Sequence, residues 1–91
     1  MELEALLVHF FGTDDLAALT EVEFDRALER LRIAFGVERE GGRKFALWTL
    51  MEALGIAPLP AEAFAKEPQL KAVAEDYLKA AFRMERYGED E

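Results

Sequence analysis

His9 is the only histidine in this 91-residue chain, so any imidazole acid–base chemistry must pass through it. A histidine base needs a nucleophile within reach and a group that orients its ring. The chain has neither cysteine nor serine, which removes a Ser–His–Asp triad, a thiolate nucleophile and thiolate metal ligands together. His9 lies between Val8 and Phe10, at the edge of an apolar stripe, and reads as a boundary histidine.

Nineteen acidic residues invite a metal reading. Di-metal sites in helical bundles use a glutamate followed three residues later by histidine, yet Leu6 stands three residues before His9. Asp14-Asp15 lacks the later ligands and the glycine of a calcium loop. No metal or cofactor is expected. Gly41-Gly42 followed by Arg43-Lys44 puts glycine amides and two cations ahead of a helix, the raw material of an anion site. No strand precedes them and the spacing fits no phosphate-loop pattern. Residues 36–42 therefore read as a charged interhelical loop with the glycine pair as its hinge.

Glu52 and Tyr77 are the residues from which an interior carboxylate–tyrosine acid–base site would be built. The plainer expectation is that Glu52 occupies the one solvent window of its helix or pairs with an arginine. Phe45, Trp48 and Met51 recur at helical spacing and read as core rather than as a cofactor pocket.

The elements that would hold these side chains are all helical. Thr20-Glu21-Val22-Glu23 has the pattern of a capping box, in which the threonine hydroxyl and the glutamate carboxylate each accept from the other residue's amide. Behind it Phe24, Ala27, Leu28, Leu31, Ala34 and Phe35 recur at three- and four-residue intervals, the signature of one buried helix face. The helix predicted there runs over 20–35, ended by Gly36. Leu3, Leu6, Leu7 and Phe10 predict a first helix over 2–11, stopped by Gly12. Thr13 or Asp14 is expected to cap a short turn near 14–18.

Residues 43–54 are apolar around almost the whole circumference, which predicts the most buried helix of the fold. Gly55 ends it, and Pro58 and Pro60 prevent continuation. A turn near 60–66 is expected to insert Phe64. Pro68 opens a last helix over 68–87, with 88–91 as a frayed acidic tail. No segment alternates with period two. The expectation is an all-α single domain, 1–91, built as a bundle of four main helices.

Composition bounds function by exclusion. With 52% hydrophobic residues, the chain can bury about 60–65% of its unfolded surface without staples. The N-terminus lacks the basic and apolar stretch of a secretory signal, and no apolar run approaches bilayer length. A cytoplasmic protein is expected, with a bacterial flavour in its Ala/Leu/Glu/Arg bias. The formal charge of −8 and the apolar character of 43–54 argue against a DNA-reading helix pair, so no nucleic acid and no membrane are expected as partners.

One charge feature stands out. Residues 26–44 hold six basic and three acidic residues inside a strongly acidic chain. Such a dipolar surface steers a partner, or a second copy, into register. Phe11, Val22, Ile33 and Leu59 fall off the main stripes and, with Arg26 and Arg30, form the expected contact set. The function expected is therefore non-enzymatic protein–protein contact, as a regulatory or accessory subunit or a homodimer. An acidic inhibitor that mimics nucleic acid is the alternative, and the Glu52/Tyr77 enzyme a further one.

Overall fold

The computed structural model describes residues 3–89, with side chains through residue 81. The protein is all-α. Its helices are α1 (Leu3–Phe11), α2 (Glu21–Val37), α3 (Gly41–Ala53), α4 (Pro60–Ala63) and α5 (Pro68–Glu89), with a 3-10 turn at Leu16–Ala18. No strand occurs among the described residues. Backbone packing groups the chain into two compact units, Met1–Ala57 and Pro58–Glu91.

In the first unit α1, α2 and α3 pack against one another in all three pairings. Leu6, Phe10 and Phe11 come from α1, Ala27, Leu31 and Phe35 from α2, and Leu47, Trp48, Leu50 and Met51 from α3; all are buried. Trp48 and Leu31 are 0% exposed. The all-round apolar pattern of α3 thus gives the most buried helix of this unit. Phe11 is a correction. Expected on a contact surface, it is 6% exposed and its ring lies 5.4 Å from that of Phe24. It stands four residues after Leu7, so it shares the helical stripe, and Phe24 on α2 completes its burial.

The helix ends show which local signals won. At the start of α2 the Thr20 hydroxyl accepts from the Glu23 amide at 3.1 Å, and Glu23 Oε1 accepts from the Thr20 amide at 2.9 Å. α2 runs two residues past its expected end, because Gly36 keeps a helical conformation, whereas Gly12 and Gly55 take positive φ, +74° and +77°. Gly12 stops α1, its amide donating to the Val8 carbonyl at 2.8 Å. At Gly55 the Ile56 amide donates to Met51 and the Gly55 amide to Glu52, the paired bonds that close a helix through a left-handed glycine. The short turn is capped by Asp15, whose carboxylate accepts from Ala17, rather than by Thr13 or Asp14. Thr13 instead accepts from the Asp15 amide.

In the second unit Pro60 takes the first position of α4, where a missing amide costs nothing. α4 packs on α5. Phe64 is 0% exposed, as the turn near 60–66 predicted, and Ala63 and Ala74 are buried with it. α5 continues through Gly88 and Glu89, which were expected in the frayed tail; residues 90 and 91 lie outside the described residues.

Candidate protein-contact surface

α2 builds the surface because the burial of one of its faces fixes which side of the helix points outward. Ala27, Leu31 and Phe35 point into the first unit, and at about 100° per residue the opposite face is then Val22, Arg26, Glu29, Ile33 and Val37. Val22, Ile33 and Val37 are 58%, 57% and 69% exposed. Three β-branched apolar residues along one outward face make a second stripe, with Arg26 and Glu29 between them.

Of the expected contact residues, Val22, Arg26 and Ile33 lie together on this face, all exposed. Arg30 lies at its edge and has a structural task as well. Its Nη2 donates to the Phe10 carbonyl at 2.8 Å, satisfying one of the orphan acceptors at the C-terminus of α1. Leu59 is 66% exposed and belongs to the second unit, at the position preceding α4. Phe11 is core, as described above.

Val37 also lines an open pocket of about 360 Å³ within the first unit. Leu6, Phe10, Ala34, Val37 and Leu47 give it apolar walls, and His9, Glu38 and Arg43 are its polar members. Glu38 Oε1 is shielded from solvent and has no hydrogen bond among the described residues; Arg43 Nη1 stands 3.9 Å away, too far to donate to it. No sequence signal marked this pocket, because its walls come from three helices that meet only in the fold. His9, placed at the edge of the apolar stripe by sequence, is exposed and meets the Phe10 ring edge-on at 4.8 Å.

The glycine pair is not a hinge. Gly41 and Gly42 form the first turn of α3, and Glu40 caps it, its two carboxylate oxygens accepting from Gly42 at 3.0 Å and Arg43 at 2.8 Å. A Cβ on Gly42 would come within 3.2 Å of Glu40 Oε1, so glycine lets the carboxylate close on the amides. The anion that this helix start attracts is therefore supplied by the chain itself. Those two amide bonds, Arg43 first, hold the Glu40 carboxyl below the usual carboxylate range. The Thr20 amide and hydroxyl do the same to Glu23.

Among the described residues, the remaining chemistry-bearing side chains form no metal-holding group in either unit. Glu52 is half-buried on α3 in the first unit, and Tyr77 is 40% exposed on α5 in the second. Among the described residues no group of three or more His, Asp or Glu side chains is placed to hold a metal, and no helix is long and apolar enough to cross a membrane. No protein-family model, curated protein or solved structure matches the chain.

Proposed function

We propose that this is a non-enzymatic helical protein that works by protein–protein contact, as a regulatory or accessory subunit. The observation that carries the reading is the doubly apolar α2, whose inward face is core while Val22, Ile33 and Val37 stand exposed on the other side. Single exposed apolar residues are ordinary on monomers; several on one helix face, beside a pocket, point to a surface that is covered in use. Apolar contact supplies the grip, and the charges around it set orientation and on-rate.

The test is comparative capture from the native host with the wild-type chain and with Val22→Asp/Ile33→Asp. A partner held by the wild type and lost by the variant supports the reading, and equal recovery of every partner defeats it. Affinity for that partner should fall only modestly between low and physiological salt, since a buried apolar centre is not screened. Loss of several orders of magnitude over that range, or direct competition with DNA or RNA, would instead support the acidic-mimic alternative.

A further inference from the structure

We propose that the occupant of the outer α2 face is a second copy of the same face, packed antiparallel about a two-fold axis between residues 27 and 28. The inference rests on the reading of that face as a contact surface and adds its partner and its register. Val22, Arg26, Glu29, Ile33 and Gly36 follow one another at alternating intervals of four and three residues, the spacing of a seam between two helices. Residues at such a seam face their counterparts in layers, and antiparallel packing sets each against a residue of the other position class.

In the register whose paired positions are 22 with 33 and 26 with 29, the four layers between Val22 and Ile33 are complementary, and Gly36 lies beyond them. Val22 of one copy meets Ile33 of the other at both ends. Between them Arg26 meets Glu29 twice. The flanks agree with the seam: Glu23 and Asp25 border its N-terminal half and Arg30 and Arg32 its C-terminal half, so reversal of direction sets acid beside base on both sides. Parallel packing in register would set Arg26 against Arg26 and Glu29 against Glu29, which is repulsive. The charge pattern therefore selects both the direction and the partner.

The side chains needed are at hand. Arg26 is exposed and makes no ion pair among the described residues. Among the described residues Glu29 pairs with Arg32 at 4.0 Å, in a pair whose Arg32 and Glu29 side chains are 52% and 67% exposed, and exposed pairs of that kind hold weakly. A closed two-fold contact is also the commonest way for one patch to satisfy itself. One helix face over four turns falls short of the about 800 Å² per partner of a standard interface. The dimer is accordingly weak and concentration-dependent.

Sedimentation equilibrium on the full chain, taken up to about 1 mM where a dissociation constant of that order is readable, tests this. The wild type should show a monomer–dimer equilibrium. Arg26→Glu and Glu29→Arg, each alone, should become monomeric, because each sets like charges across both central layers. Circular dichroism checks that both variants keep their helices. Mixed one to one, they should dimerise again, since every central layer of the mixed pair is once more opposite in sign. A wild type that stays monomeric at the highest concentration overturns the second-copy inference, while capture of a different protein through Val22 and Ile33 would leave the contact reading intact. A dimer that both single variants retain, or a mixture that fails to recover, overturns the register. If, in addition, the Val22→Asp/Ile33→Asp chain behaves as the wild type in every capture, the contact reading itself fails.

Discussion

The two long faces of α2 carry similar residue types and opposite fates. Ala27, Leu31 and Phe35 are buried against α1 and α3, while Val22, Ile33 and Val37 on the other side of the same helix are more than half exposed. Both faces carry apolar side chains, but the inner run is unbroken while Arg26 and Glu29 interrupt the outer one. Burial of the inner run against α1 and α3 sets the rotation of the helix, and Arg30 reaching the Phe10 carbonyl secures it. The inner face is thereby committed to stability, which leaves the outer one available for contact.

The largest expected effect breaks this comparison directly. Leu31→Ala removes a fully buried side chain and should cost about 2–5 kcal/mol, the range for emptying an aliphatic core site. Ile33→Ala, two residues on, should change monomer stability by no more than about 0.5 kcal/mol, as exposed substitutions do. Urea unfolding followed by the emission of the buried Trp48 measures both. Comparable losses at the two positions would show that the outer face is covered within the monomer, and the contact surface would have to be sought elsewhere.

The next effect acts on the start of the helix that carries both faces. Thr20→Ala removes the hydroxyl half of the box and should cost about 0.5–2 kcal/mol. Thr13→Ala should cost less, since its hydroxyl serves a single exposed loop amide. Equal losses would mean that the box adds no more to α2 than a single exposed loop bond does.

These ends also show what was legible in the sequence. The Thr20 box could be read because all its partners lie within four residues, and the inner stripe because its period is local. The start of α3 escaped because the capping residue is Glu40, outside the Ser/Thr/Asp/Asn set on which a helix start is recognised. Gly36 misled because a glycine near a helix end resembles a stop, and only its backbone conformation separates it from Gly12 and Gly55. Phe11 lies on the helical stripe, but its burial depends on Phe24 of a different helix. The pocket beside Val37 is wholly a product of tertiary packing, as is the exposure of the outer face.

A smaller effect sharpens the comparison from the outer side. Gly36 is an exposed helical residue, and a Cβ there meets nothing within 4 Å. Gly36→Ala should therefore stabilise the monomer by about 0.4–1 kcal/mol, mostly by restricting the unfolded chain. The thermal midpoint reads this. A destabilised variant would mean that α2 ends before Gly36, at the boundary predicted from sequence, with Val37 off the outer face.

The smallest effect is the pH dependence of the two helix starts. Glu23 and Glu40 have carboxyls held below the ordinary glutamate value of about 4.3, in each case because amides at the helix start donate to them. The unfolded chain then binds more protons than the folded one across the interval between the lowered values and about 4.3, so stability rises with pH there. The contribution is fully present above that interval and lost as pH falls through the lowered folded values. Both groups are fully exposed, so each contribution is small. Glu23→Gln/Glu40→Gln should flatten this part of the stability curve below about pH 4.3 and leave the slope at neutral pH unchanged. Glu23→Gln alone should remove only the portion that belongs to α2, and because glutamine still accepts from the Thr20 amide, the helix itself should persist. An acid limb with the wild-type slope in both variants would show that neither carboxylate is engaged in solution. The Thr20 hydroxyl would then be the side-chain cap that remains at the start of α2.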